Sequence, residues 1–259
     1  MPVPENAEPI AVAACLAGGR YLRRTFAEGD TDAEHSAIDV KSSADVASER
    51  RMLAVLREAF PEHVVDAEES GRHGGGDERH RWIVDPLDGP NNFEAGMPSF
   101  ATAVTLLVDG RAELAVAHVP VTEELYVCTR EALRYDGDRV DGPETPAPDP
   151  GSATVMTVIG HDVKRDPDAT AVSRRIDRGV EHGCKRRLAS WSPTVHWGLL
   201  ARGRIDGAVC YRPDAEEQRL GELFVEAVGM PTGTGQEWFV AGRTETLRDR
   251  LVGVVEDAI

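Results

Sequence analysis

The stretch Trp82-Ile83-Val84-Asp85-Pro86-Leu87-Asp88-Gly89 carries more of the fold than any other part of the chain. Arg81 to Val84 reads as a short buried strand, and it runs straight into two carboxylates. Asp85 and Asp88 stand three residues apart on a turn shaped by proline and glycine. Hard cations such as Mg²⁺ take oxygen ligands in near-octahedral geometry, with few protein groups per ion. Paired aspartates at a strand end supply that donor set, and the Leu87 carbonyl between them is a further oxygen. A lone Asp-x-x-Asp also serves as a turn with capping aspartates. Upstream, however, Asp66-Ala67-Glu68-Glu69-Ser70 closes a second apolar strand at His63 to Asp66. Two acidic strand ends so close in sequence favour a metal centre.

Around this centre the periodicities are regular. Ile10, Ala14, Leu16, Tyr21, Leu22 and Phe26 predict a helix from about Glu8 to Phe26. A second helix fits Ala44 to Phe60, with Met52, Leu53, Leu56 and Phe60 on one face and Pro61 ending it. Gly71 to Glu78 is glycine-rich and charged, which predicts a mobile surface loop. Strands at Ala101 to Val108 and Ala112 to His118 flank Asp109-Gly110, a hairpin dipeptide, and another strand fits Glu124 to Cys128. Asp136 to Ser152 is rich in Gly, Pro, Asp and Glu and marks a boundary. Beyond it lie strands at Thr154 to Ile159, Gly207 to Cys210 and Trp238 to Val240. Helices fit Ala169 to His182, Val195 to Ala201, Glu217 to Val228 and a C-terminal segment from Glu245. The reading is an N-terminal α+β half (1–145) with the acidic motifs and a C-terminal α/β half (146–259).

At 259 residues and 41% hydrophobic, the chain has material for one large domain or two packed halves, and wholesale disorder is excluded. Lys+Arg is 29 against 45 Asp+Glu, a formal charge of −16. Such a surface repels nucleic acid and anionic membranes, and repels anionic substrates unless a cation is bound. The basic residues are almost all arginine, with lysine only at Lys41, Lys164 and Lys185. Adaptation to high salt and a GC-rich genome account for this equally well. Cys15, Cys128, Cys184 and Cys210 are far apart, as for reduced thiols in the cytoplasm. The apolar run Ile10 to Ala17 lacks a basic flank and is read as neither signal peptide nor membrane span. Eight histidines show no zinc spacing, no Gly-x-Ser-x-Gly elbow occurs, and the turn Thr232-Gly233-Thr234-Gly235 lacks a P-loop lysine. His118, at a strand end, reads as structural.

Together with Asn92-Phe93, the Trp82–Gly89 block resembles the signature of the inositol monophosphatase family, which belongs to the Mg²⁺-dependent, lithium-sensitive phosphatases. Phe60-Pro61-Glu62-His63, Glu68-Glu69-Ser70, and Asp45 four residues before Glu49 fall in the family's order. So do Gly96 to Ala101, Ala201 to Gly207, and Glu217 to Gly229 with Gly221 and Leu223 in register. The resemblance implies a layered αβαβα sandwich of the sugar-phosphatase type, homodimeric, hydrolysing a small phosphorylated metabolite such as an inositol phosphate or a sugar phosphate. It implies two or three Mg²⁺ ions. Glu68, Asp85 and the Leu87 carbonyl would hold the first, and Asp85, Asp88 and Glu217 the second. A third would sit near Glu68 with Asp45 in its outer shell. The catalytic carboxylates are then Glu68, Asp85 and Asp88. The substrate phosphate would bridge the ions and rest on the helix start at Gly89, Pro90 and Asn91. Water activated by the metal would attack phosphorus in line.

Four positions depart from the family pattern. Pro90 stands where the family keeps a water-positioning threonine, leaving the Asn91 and Asn92 N–H groups and the Asn91 side chain to face an anion. Glu217 replaces a ligating aspartate, with Asp214 as a competing ligand. Cys210 replaces a substrate-side carboxylate. Trp191-Ser192-Pro193-Thr194 replaces a small-residue segment that often meets substrate, and its indole reads either as an altered pocket or as core. Pro90 and Glu217 also motivate a rival reading, a catalytically impaired member that acts as a metal- or ligand-binding regulatory protein.

Overall fold

The computed structural model describes residues 3–29, 33–35, 40–143 and 146–259, and the side chains of 33–35, 40–42 and 215–217 lie outside that description. The chain divides into two units, Met1–Arg139 and Val140–Ile259, where the sequence reading put the break after residue 145.

The first unit runs α1 (Ala7–Glu28), β1 (Ala33–His35), β2 (Val40–Ser42), α2 (Ser43–Ala59), β3 (His63–Ala67), β4 (Gly71–His73) and β5 (Asp77–Asp88). It continues α3 (Pro90–Glu94), β6 (Ala101–Val108), β7 (Arg111–Val119), β8 (Glu124–Thr129), β9 (Leu133–Tyr135) and β10 (Asp138–Val140). Eight strands form one sheet in the order β10-β9-β8-β7-β6-β5-β3-β4. β3 and β5 are parallel, while β5 to β9 form an antiparallel meander. Trp82, Val84, Val104, Leu106 and Val116 point to one face and pack against Ala11 and Ala14 of α1 and Met52 and Leu56 of α2. The β6–β7 turn has positive φ at Asp109 (51°) and Gly110 (81°), as a tight hairpin requires. The expected surface loop at Gly71 to Glu78 is largely strand. β4 folds back on β3 with Val65 opposite His73, and β5 starts at Asp77. Hydrogen bonding along a sheet edge overrides the weak intrinsic preference of glycine here.

The second unit holds β11 (Thr154–Ile159), α4 (Pro167–Gly183), β12 (Arg186–Ala189), α5 (Pro193–Ala201) and β13 (Gly207–Tyr211). Then come α6 (Ala215–Ala227), β14 (Thr232–Thr234), β15 (Trp238–Gly242) and α7 (Glu245–Glu256). Its sheet order is β12-β11-β13-β15-β14. Ile176 and Val180 of α4 and Leu247 and Leu251 of α7 pack on Val155, Val209 and Val240. Phe239, one residue along β15, faces the other side and meets Trp197 of α5 edge-on at 6.1 Å. The stretch Thr232 to Gly235, expected to be a glycine-rich turn, is for the most part the edge strand β14, antiparallel to β15. Among the described residues no helix is long and apolar enough to cross a membrane, and the four cysteines are free and buried.

His118 lies buried on β7. It is 5% exposed, and burial pushes its pKa from 6.5 down to about 4; Arg20 and Arg23 add to the shift, and Glu123 and Asp136 oppose it. The folded state therefore binds this proton later than the unfolded state. Stability is full above pH 6.5 and is lost as pH falls from there toward 4, by up to about 3 kcal/mol. His118→Gln is expected to flatten that part of a melting-temperature profile, and an unchanged profile would refute the assignment.

Candidate metal and phosphate site

In a regular strand, residues three apart point to opposite faces. Asp85 and Asp88 do not obey this, because β5 carries a bulge between them. Asp85 pairs with Ala103 and Asp88 with Ala101, so three steps on β5 match two on β6. The extra residue restores the parity and brings both carboxylates to the same side of the sheet. Pro86 fits here because a bulge does not require its missing N–H. The Leu87 N–H donates to Asp85 Oδ1 at 3.1 Å and fixes that carboxylate. Leu87 itself packs with Leu22, Phe93 and Phe100. Glu68 extends β3 by one residue, and its N–H donates to the Val84 carbonyl at 3.3 Å. Ala67 is in register with Val84, so Glu68 stands level with Asp85 at the ends of neighbouring parallel strands. Carboxylate and carbonyl oxygens are the donors that hard divalent cations take.

The start of α2 ties the two strand ends together. Asp45, in its first turn, is 4% exposed. One turn on, the Ser48 hydroxyl donates to the Pro86 carbonyl at 2.8 Å. Glu49 Oε2 accepts the Glu69 N–H at 2.7 Å, beside Glu68. Ser48 and the bonding role of Glu49 were not foreseen from the sequence, whose only hint was the Asp45–Glu49 spacing.

Gly89 caps α3 with φ 87° and ψ 50°, a left-handed conformation open to glycine, and Pro90 follows at the first helical position. The helix therefore forms around Pro90, as expected. The Asn92 N–H is spent inside the turn, donating to the Gly89 carbonyl at 3.0 Å, and so does not face an anion as the sequence suggested. Asn92 Nδ2 donates to the Ser99 carbonyl at 2.6 Å.

The remaining candidates lie in the second unit. Ser192 is fully buried at the N-cap of α5. Trp191 is 59% exposed, which removes the reading of its indole as core. Cys210 is buried in β13. Asp214 is the N-cap residue of α6, 3.9 Å from His161 Nδ1. Glu217 belongs to the first turn of that helix, and its side chain lies outside the described residues.

Among the described residues, His63, Asp77 and His80 are the one trio of ligand atoms within 4.8 Å of one another. The two imidazoles stack at 4.7 Å with 13° between their planes. A ring nitrogen binds a metal along a lone pair in its own plane, and two separated parallel planes share no ion. Moreover, Trp82 Nε1–H donates to His63 Nδ1 at 3.0 Å, and Asp77 Oδ2 lies 2.6 Å from His80 Nδ1. The bond to His80 pulls the Asp77 carboxyl down to about 2, while burial and His80 lower the His63 pKa. In this geometry the trio is an imidazole stack anchored by the Asp77–His80 and Trp82–His63 hydrogen bonds, at the end of β5 remote from Asp85.

Two sheets clothed in helices, with paired aspartates on a bulged strand end, have the architecture of the sugar phosphatases. The chain belongs to the inositol monophosphatase family, whose model matches residues 4–217. It is 29% identical over 225 residues to a Salmonella typhimurium protein named Nus factor SuhB, covering 85% of this chain and 82% of that one. To the Vibrio cholerae protein of the same name it is 32% identical over 223 residues, with the same coverage. The structure of extragenic suppressor protein suhB from Bartonella henselae superposes with a TM-score of 0.86 at 24% identity, covering 97% of this chain and 98% of that one. Inositol monophosphatase from Anabaena gives 0.81 at 22%, covering 98% and 96%. The layered α+β fold is shared with these structures, and family membership supports a phosphatase of this superfamily.

Proposed function

We propose that the chain is a Mg²⁺-dependent phosphomonoesterase acting on a small phosphorylated metabolite, as a cytoplasmic homodimer. The observation that carries this reading is the β5 bulge, which puts Asp85 and Asp88 on one face, level with Glu68. Glu68, Asp85, Asp88 and the Leu87 carbonyl would hold the cation, with Asp45 as a further ligand. The cation supplies charge neutralisation and a lowered pKa for the attacking water. At these acidic strand ends, in a protein of charge −16, that neutralisation is needed before a phosphate can approach. Gly89 and Asn91 at the start of α3 would meet the substrate. The test is phosphate release across inositol and sugar phosphates with and without Mg²⁺. Turnover independent of the cation would overturn the reading.

Pro90 has no hydroxyl to position water. Pro90→Thr is expected to raise kcat by roughly ten- to a thousandfold, about 1.4 to 4 kcal/mol of barrier, with a smaller effect on KM. Unchanged turnover would mean that another group, Asn91 first, already holds the water. A second reading, a binding or regulatory protein with weak or lost catalysis, is favoured by the naming of relatives as Nus factor SuhB. Mg²⁺ binding in parent and Pro90→Thr, with no turnover by either, would select it.

A further inference from the structure

The outer face of α2 and the β3–β4 hairpin border an open cleft of about 600 Å³, the size of a small-molecule pocket. Its floor is apolar, formed by Leu53, Ala54 and Pro61. Arg50 and Arg57 border it from one side of α2. Seven residues apart, they lie nearly two helical turns from each other on one stripe, about 10 Å along the axis. Neither guanidinium has an ion-pair partner among the described residues, in a chain where Asp+Glu outnumber Lys+Arg by 45 to 29. On the opposite wall the Ser70 hydroxyl and His73 Nε2 are 2.6 Å apart and form a polar hook. Glu49 and Glu58 also line the cleft and each brings a negative charge; one Glu49 oxygen accepts the Glu69 N–H, so a dianion must be gripped by the guanidiniums at the side of the cleft away from these carboxylates.

We propose that this cleft binds a small organic dianion, two carboxylate or phosphate groups on a short apolar body. The guanidiniums would grip the charged ends in charge-assisted hydrogen bonds, and the floor would take the body. Two unpaired arginines spaced along a helix over an apolar floor ask for this chemistry, rather than for a bare inorganic ion. The cleft adjoins the strand end that carries Glu68 through the Glu49–Glu69 bond, yet it does not involve the carboxylates assigned to the metal. Binding here is independent of whether the chain is a phosphatase.

The probe is pimelate, two carboxylates on a methylene chain, titrated into the protein without Mg²⁺ and followed by amide chemical shifts. Shifts are expected to cluster at Arg50, Ala54, Arg57, Ser70 and His73. Heptanoate, with the same chain and one carboxylate, is expected to bind at least roughly tenfold more weakly, about 1.4 kcal/mol. The Arg50→Ala/Arg57→Ala double variant is expected to lose pimelate binding by a similar factor or more, with its melting temperature unchanged because both side chains are exposed. Arg50→Lys/Arg57→Lys retains the charge and is expected to keep part of the affinity. Equal affinity for pimelate and heptanoate, undiminished binding by the alanine variant, or shifts confined to residues outside the cleft would each overturn the proposal.

Discussion

Asp85→Asn is expected to abolish phosphatase activity, by roughly a thousandfold or more in kcat/KM, at least about 4 kcal/mol of transition-state stabilisation. The substitution keeps the shape of the side chain and an oxygen that accepts the Leu87 N–H, now 3.1 Å from Asp85 Oδ1, so the bulge survives. What disappears is a negative charge beside Glu68 and Asp88. Without a cation, these carboxylates repel one another, and the variant should melt at the same temperature as the parent or higher. With Mg²⁺ the order reverses. The parent gains stability by mass action on the folded state, and the variant gains little. Calorimetric titration and melting curves with and without Mg²⁺ separate this outcome from simple misfolding. A variant that binds Mg²⁺ as the parent does would refute the assignment of Asp85.

Gly221→Ala is expected to cost about 1 to 3 kcal/mol, which for a chain of this size lowers the melting temperature by roughly 2 to 12 °C. Two effects compete. Alanine in a helix is favoured over glycine by up to about 1 kcal/mol. Against that, a Cβ at Gly221 would sit 2.1 Å from Trp197 Cε2 and 2.3 Å from its Nε1. Trp197 is 1% exposed and packs edge-on against Phe239, so the indole has nowhere to retreat. The clash outweighs the propensity. Trp197→Leu in the Gly221→Ala background should recover part of the loss, giving a coupling energy in a double-mutant cycle. An alanine variant as stable as the parent would show that α5 and α6 can separate without cost.

By itself the sequence determined the elements whose cause is local. The helices at Ala7–Glu28 and Ser43–Ala59, the β6–β7 hairpin and the strand leading into Asp85 follow from residue spacing, a proline stop and an Asp-Gly turn. Nor did the acidic character of the two strand ends need coordinates, because it is written in consecutive residues. Tertiary structure decided what depends on a partner strand or a neighbouring helix. Period-two alternation puts Asp85 and Asp88 on opposite faces, and only the pairing of β5 with Ala103 and Ala101 reveals the bulge that unites them. Glycine-rich Gly71–His73 becomes a strand because β3 offers its edge. Trp191 is exposed, although its composition suits a core equally well. Ser48 and Glu49 look like ordinary helix residues until the strand ends arrive beside them to take up their hydrogen bonds. Side-chain direction and hydrogen-bond partnership are properties of pairs of segments, and a single segment carries only its own half of each pair.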